Sequence, residues 1–103
     1  MYRVRCSMEC EYGHFGDVLS SMEEANEVCR AHGWTTWTFW VGSTGRNNML
    51  VGEMECDSID TYLKETEHAS SDPAYMKAIR SAAQYVVQGS SNIDIWEPAP
   101  HLA

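Results

Sequence analysis

The stretch YRVRCSMECE, residues 2–11, decides the fold. Its even positions hold apolar or sulfur-containing side chains, namely Tyr2, Val4, Cys6, Met8 and Cys10. Its odd positions hold charged or polar side chains, namely Arg3, Arg5, Ser7, Glu9 and Glu11. Side chains of a β-strand point alternately to the two faces of a sheet. The pattern therefore predicts a strand with one face on a core and one charged face.

A second alternating stretch, residues 49–56, predicts the strand that pairs with the first. Its even positions are apolar or small, whereas Glu53 and Glu55 occupy odd positions. Arg3 and Arg5 hold the matching charged face of the first strand. In neighbouring strands these arginines and glutamates can form cross-strand ion pairs. The charges and the alternation thus favour the same pairing.

Apolar residues at helical spacing predict the helices. The first helix follows Asp17, a predicted N-cap, and stops before Gly33. Ser58 is predicted to cap a short helix. Asp72 is predicted to cap a longer helix, because a proline follows it, and Gly89 is predicted to end that helix.

Two further strands complete the predicted order. Residues 34–41 are rich in Trp, Thr and Phe and are predicted to form a hairpin with residues 49–56. Residues 93–97 predict the last strand, and residues 101–103 are expected to form a mobile tail. The order βαββαβ is typical of an α+β, ferredoxin-like fold, a four-stranded antiparallel sheet with helices on one face.

Length and charge limit the possible functions. The chain has 103 residues, 44% hydrophobic composition and a formal net charge of −8. This length supports one domain, residues 1–103. The acidic balance repels phosphate backbones and anionic surfaces, so we expect no nucleic-acid and no membrane partner. Without an apolar stretch for a spanning helix or a signal peptide, we expect a cytoplasmic protein.

The cysteines are predicted to be reduced core residues. Without a secretion signal, the four cysteines at positions 6, 10, 29 and 56 are expected to be free thiols. The sequence lacks the second close pair of Cys or His that a zinc site requires. We therefore expect no bound metal and no cofactor.

Three short motifs in the second half of the chain resemble a known group of proteins. They are Asp-Pro-Ala-Tyr at 72–75, Val-Val-Gln-Gly-Ser at 86–90 and Ile-Trp-Glu-Pro at 95–98. Together with the topology, these motifs resemble NIPSNAP-like small proteins of the dimeric α+β barrel superfamily, which also holds antibiotic-biosynthesis monooxygenases. The resemblance implies a homodimer whose two sheets pack face to face, and a pocket in each protomer between sheet and helices.

The resemblance also implies candidate activities. Members of the group include cofactor-free oxygenases, polyketide cyclases, haem-degrading enzymes, isomerases and proteins without known activity. Some cyclases carry a catalytic His-Pro-x-His stretch at the place of residues 72–75. Neither His is present here, and Tyr75 holds the position of the second one.

We predict two catalytic residues. His14 lies in the glycine-flanked loop after the first strand, and an imidazole there can act as a general base near neutral pH. The alternative is an exposed loop histidine without a role. Tyr75 can orient a carbonyl or a phenol, although a buried tyrosine can equally serve packing alone.

The predicted ligand-binding residues are aromatic and surround the expected pocket: Tyr12, Phe15, Trp34, Trp40 and Tyr62. In a strand over residues 34–41, Trp34 and Trp40 face one way and Trp37 the other. Tryptophans on both faces of one strand favour dimerisation, which would cover the second face. The alternative is one partly exposed tryptophan.

The sequence therefore leaves three functions open. The first is a homodimeric protein that holds a small aromatic or polyketide-like molecule and acts as a cofactor-free oxygenase, cyclase or isomerase. The second is a non-catalytic ligand-binding or structural dimer. Haem binding ranks last, because no histidine is placed on a helix predicted to line the pocket.

Overall fold

An antiparallel sheet of four strands forms one layer of the protein in a computed structural model that describes residues 1–100. The strands are β1 (Tyr2–Glu9), β2 (Thr38–Val41), β3 (Met49–Cys56) and β4 (Asn92–Trp96). The helices are α1 (Phe15–Ala31), α2 (Ile59–Ser70) and α3 (Pro73–Ala83). The strand order β2-β3-β1-β4 confirms the ferredoxin-like prediction. The expected tail at 101–103 lies outside the described residues.

The pairing of β1 with β3 follows the charges. In this register Arg3 lies opposite Glu55 and Arg5 opposite Glu53. Both pairs are ion pairs with N···O distances of 2.9 Å. Because three of the four side chains, all except Glu53, are about half exposed, these ion pairs add little stability. They favour this register over others, in which like charges would meet or the charges would be unpaired. The prediction of cross-strand ion pairs is confirmed.

The core lies between the even face of the sheet and the helices. One cluster of buried residues joins β1, β3, α1 and α3, and consists of Met8, Cys10, Val18, Leu50 and Ala82. A second cluster, Val4, Met54 and Cys56, has Trp37 and Tyr62 packed against it. The even positions of β1 and β3 thus supply the core, as their alternation predicts.

The predicted caps of the second and third helices are confirmed. The Ser58 hydroxyl accepts a hydrogen bond from the Thr61 N–H at 3.1 Å. The Asp72 carboxylate accepts one from the Tyr75 N–H at 2.9 Å. That bond is the main cause that holds the pKa of Asp72 below its usual value. Gly33 also follows the end of α1, with a φ of 72° that favours glycine.

The predicted start of the first helix is wrong by three residues. The helix begins at Phe15, and His14 rather than Asp17 is its N-cap residue, without a capping side-chain hydrogen bond. Asp17 lies in the first turn and its carboxylate is 2.9 Å from His14 Nδ1. An acidic group in the first turn stabilises a helix through the dipole. Asp17 therefore does mark the start of this helix, but from within its first turn and not as its N-cap.

Two other predicted boundaries are wrong. Residues 34–37 lie outside the second strand, because side chains of α1 and α2, not β3, bond to their backbone. Trp37 bonds to Asn26, and Thr35 bonds to Glu65. The third helix ends at Ala83 instead of continuing to Gly89. The chain after it returns to the sheet, where Val87 donates a backbone hydrogen bond to Glu9.

The described helices include none that is both long enough and apolar enough to span a membrane.

We predict that Leu50→Ala strongly destabilises the protein. Leu50 is fully buried in the first core cluster, so its loss should lower the free energy of unfolding by about 2–5 kcal/mol. Leu63→Ala is the matched control, since Leu63 is 56% exposed and should change it by less than about 0.5 kcal/mol. Urea unfolding followed by circular dichroism measures both. Equal effects of the two substitutions would contradict this assignment of the core.

Candidate functional site

A cavity of about 740 Å³ lies between the covered face of the sheet and the helices. Its floor is one row of residues across all four strands. Register places Phe39 opposite Gly52, Gly52 opposite Cys6, and Cys6 opposite Ile93. All four residues line the cavity. A volume of this size is within the usual range for small-molecule sites, roughly 300–1,000 Å³.

Small residues, Cys6 and Gly52, occupy the middle of this floor. Gly52 has no side chain, and the rings of Trp37 and Phe39 lie directly over its backbone. A Cβ built at Gly52 would lie 3.2 Å from Trp37 Cε3 and 3.2 Å from Phe39 Cε1. Both rings line the cavity. The absence of a side chain at this position thus sets where the aromatic wall stands.

Two tyrosines from the helices complete the wall. Tyr62 comes from α2 and Tyr75 from the first turn of α3, and both are half-buried. Neither phenol oxygen is hydrogen-bonded to another of residues 1–100. Burial raises the pKa of Tyr75, and the nearby Cys29, Tyr62 and Cys6 raise it further. At neutral pH its hydroxyl is therefore a protonated donor, free to bond a ligand.

The remaining lining is mainly apolar, and its polar groups are few. Among residues 1–100, Glu11 is the one carboxylate that lines the cavity, and no histidine, lysine or arginine lines it. Thr66, Gln88 and Ser91 add neutral polar groups. The cavity thus offers neutral hydrogen-bonding groups on an aromatic surface and almost no charge.

His14, the predicted base, does not line this cavity. Its ring stacks on Tyr85 with centroids 3.9 Å apart and planes within 1° of parallel. Its Nδ1 bonds to Asp17. The stack engages the His14 ring, and the contact with Asp17 engages its Nδ1. Tyr75, the other predicted catalytic residue, does line the cavity.

The predicted ligand-binding residues lie in four different places in the structure. Tyr62 lies in the cavity wall. Tyr12 is exposed, and Phe15 packs against the first core cluster. Trp34 and Trp40 come together in a different depression of about 590 Å³, which also contains Arg3, Glu53 and Glu55 and therefore lies on the charged face of the sheet.

Trp34 also contacts His32 and borders a second, smaller void. Its indole stacks on His32 at a centroid distance of 4.3 Å. It also borders a small void of about 30 Å³ that Tyr62 and Tyr75 share. The three residues are therefore near one another, although Trp34 does not line the large cavity.

The residues that sequence reasoning missed are Trp37, Phe39 and Gly52. A signal for the aromatic pair was available, because Trp37 and Phe39 have the same parity and the opposite parity to Trp40. Parity cannot tell which face the helices cover. That follows only from the pairing of Phe39 with Gly52, on the same face as Cys6.

The four cysteines carry free thiols, and Cys6 is the one that lines the cavity. Burial raises the pKa of each thiol above its usual value. The Cys56 thiol lies 3.6 Å from the Met54 sulfur. Within residues 1–100, no group of three or more His, Cys, Asp or Glu side chains is arranged to hold a metal ion.

Comparison with known proteins identifies the fold. No protein-family model matches the sequence, and no curated protein is significantly similar to it. A NIPSNAP family protein with unknown function from Agrobacterium tumefaciens matches with a TM-score of 0.81 and 18% identity, over 96% of this chain and 88% of that chain. An uncharacterized NIPSNAP domain protein from Burkholderia xenovorans matches with a TM-score of 0.80 and 13% identity, over 100% and 99%.

An antibiotic biosynthesis monooxygenase has the same architecture, with a TM-score of 0.74 and 11% identity over 97% of this chain and 100% of that chain. The chain therefore has the ferredoxin-like α+β fold that NIPSNAP family proteins and antibiotic biosynthesis monooxygenases share. The resemblance drawn from the sequence is confirmed at the level of the fold. Function has to be argued from the cavity, because one fold carries many activities.

We predict that all four cysteines are free and protected in the native protein. Thiolate is the reactive form, and a raised pKa lowers its fraction. Ellman's reagent at pH 8 should therefore label the folded protein far more slowly than the unfolded protein. In denaturant it should count four thiols, with or without earlier reduction. A count of two in the unreduced sample would contradict the prediction.

Proposed function

We propose that the chain binds a small, flat, uncharged molecule of aromatic or polyketide type in the cavity between sheet and helices. The observation that carries this proposal is an apolar cavity of about 740 Å³ with the phenols of Tyr62 and Tyr75 in its wall, neither of them hydrogen-bonded to another of residues 1–100. Trp37 and Phe39 offer flat surfaces on which fused rings can stack. A charged ligand would find almost no counter-charge.

The two phenols supply the polar recognition. A phenol that stays protonated at neutral pH donates a hydrogen bond to a ketone or to a hydroxyl oxygen of the ligand. Each such bond contributes about 0.5–1.5 kcal/mol, which is roughly a 2- to 13-fold change in affinity. An apolar ring system with one carbonyl group therefore matches the cavity better than a hydrocarbon does.

The geometry supports binding more directly than acid–base catalysis. His14 lies outside the lining, so the imidazole predicted to act as a base is not directed at a ligand in the cavity. Tyr75 can hold a carbonyl group but cannot accept a proton while it is itself protonated. The monooxygenase with the same architecture keeps an oxygenase, cyclase or isomerase activity as the second candidate. Turnover of a bound aromatic ketone, measured as product formation or oxygen uptake, would establish it.

We predict that Tyr75→Phe selectively weakens the binding of a ketone. The wild-type protein should bind 1-tetralone, a fused-ring ketone, and also tetralin, the same ring system without oxygen. Removal of the phenol oxygen should raise the Kd for 1-tetralone by about 3- to 10-fold, the range expected for one hydrogen bond, and leave tetralin unchanged. Tryptophan fluorescence quenching and thermal stabilisation measure both affinities.

Tyr2→Phe is the matched control, because Tyr2 lies in β1 outside the cavity lining and loses the same atom. It should change neither affinity. If the wild-type protein shows neither quenching nor stabilisation with either compound or with a wider set of aromatic ketones, the binding proposal fails. Equal losses for both compounds in Tyr75→Phe would assign Tyr75 a packing role instead.

We also propose that the charged face of the sheet is covered by a second copy of the chain. Trp40 is 55% exposed and Trp96 is 54% exposed. Pairing places Trp96 beside Arg3, and the Arg5 guanidinium carbon lies 5.7 Å from the Trp96 ring centroid. Two large exposed aromatic residues on one sheet face are a typical mark of an interface. A dimer with its two sheets face to face fits the resemblance noted from the sequence.

Charge favours a second copy over another partner. The face carries two arginines on β1 beside two glutamates on β3, namely Arg3, Arg5, Glu53 and Glu55, so a copy related by a two-fold axis can present opposite charges to each of them. A strongly acidic or basic partner would meet like charges there. The same patch on both protomers is what a two-fold interface requires.

We predict that Trp40→Asp dissociates this dimer while leaving the fold intact. The new carboxylate would be buried without a partner in the dimer but solvated in the monomer. Sedimentation velocity at micromolar concentration should report a dimer for the wild type and a monomer for the variant. Leu63→Asp, which places the same charge at an exposed site on α2, should remain dimeric. A monomeric wild type would remove the proposal.

A further inference from the structure

Asn26 is a buried polar residue whose side chain serves the backbone of a single other residue. It lies on α1 with 8% exposure. The Trp37 N–H donates to Asn26 Oδ1 at 2.7 Å, and Asn26 Nδ2 donates to the Trp37 carbonyl oxygen at 3.0 Å. One amide thus makes both hydrogen bonds that a neighbouring strand would make. Only one orientation of the amide satisfies both, since a flipped side chain would face donor with donor.

The residue that Asn26 holds is a wall of the cavity. Trp37 lies one residue before β2, where pairing with β3 does not fix its backbone. Its indole rests over Gly52, and a Cβ there would come within 3.2 Å of the ring. Asn26 itself does not line the cavity. Two residues therefore fix the position of the indole. Asn26 binds the backbone of Trp37, and Gly52, which lacks a side chain, leaves room for the ring.

A shift of this indole would change the shape of the cavity. Trp37 also borders the void of about 30 Å³ beside Cys29 and Met54, so its ring separates a large space from a small one. A displaced ring would move into the large space or into the small one. Ligands that fill the large cavity would feel such a shift more than ligands that occupy only part of it.

We propose that Asn26 is a positioning residue that, together with Gly52, fixes Trp37 and so sets the largest ring system the cavity accepts. This inference rests on the proposed ligand binding. It extends that function to a class of ligand, planar ketones of two to three fused rings stacked on a fixed indole. Asn26 acts through Trp37 and touches no ligand.

The test compares a large and a small ketone in two variants. Asn26→Asp keeps the shape of the side chain but replaces the amide donor with a carboxylate oxygen that repels the Trp37 carbonyl. Gly52→Ala adds the Cβ that would push the ring from the other side. In both variants the Kd for xanthone, with three fused rings, should rise about 10-fold, the order expected for a poor steric fit in an apolar pocket. The Kd for acetophenone, with one ring, should change less than 2-fold.

A second readout follows Trp37 without any ligand. The indole N–H resonance of Trp37 in a ¹H–¹⁵N spectrum, assigned by its loss in Trp37→Phe, should shift in both variants. Asn47→Asp makes the same chemical change in the exposed loop before β3 and should leave the resonance and both affinities unchanged. Trp37→Phe should itself weaken xanthone more than acetophenone, because the wall becomes smaller.

The outcomes separate this inference from the proposed function. If the wild-type protein binds neither ketone, the proposed function fails, and the Trp37 resonance alone decides the positioning role. An unmoved resonance in both variants would overturn that role. Equal weakening of xanthone and acetophenone, with a lowered melting temperature, would mean that Asn26 serves stability only and would overturn it as well.

Discussion

The register between β1 and β3 is the constraint on which the rest of the structure depends. A shift by one residue would turn every side chain of a strand to the other face of the sheet. Here Val4 and Met54 meet on the covered face, and Arg5 and Glu53 meet on the charged face. The same register brings Cys6 opposite Gly52. The core, the ion pairs and the cavity floor therefore all depend on this one register.

The cavity exists because the two central residues of one row across the sheet, Cys6 and Gly52, are small, whereas the residues in the neighbouring rows of β1 and β3 are large. Leu50 and Val4, in the rows on either side, are fully buried and packed by the helices. Between them, Gly52 has no side chain, so the rings of Trp37 and Phe39 lie over its backbone, and Cys6 fills little space. Helices held at a distance by the large residues of the outer rows cannot close onto the middle row, since packed cores resist local collapse. The space is thus a consequence of residue size along two strands.

Periodicity and caps were sufficient for the elements that are stabilised locally. Alternation in β1 and β3, and the side chains of Ser58 and Asp72, gave the strand pairing and two helix starts correctly. The segment 34–37 could not be predicted in this way, because Asn26 and Glu65 are distant in sequence and take the place of a strand. The same limit applies to the site, since only the folded chain separates His14 from the two cavity tyrosines.

The chemistry of the cavity follows from its lack of charge. Burial raises the pKa of Tyr75 and of the Cys6 thiol, so both stay protonated near neutral pH and neither can serve as a base. Glu11 is the one carboxylate that lines the cavity among residues 1–100, and it is exposed just after β1, where water competes for it. A reaction in this cavity that removes a proton from the ligand would therefore have to transfer it to Glu11 or to water. The lining offers shape, aromatic surfaces and two phenol groups, which supports the proposed selection of a ligand more directly than its chemical transformation.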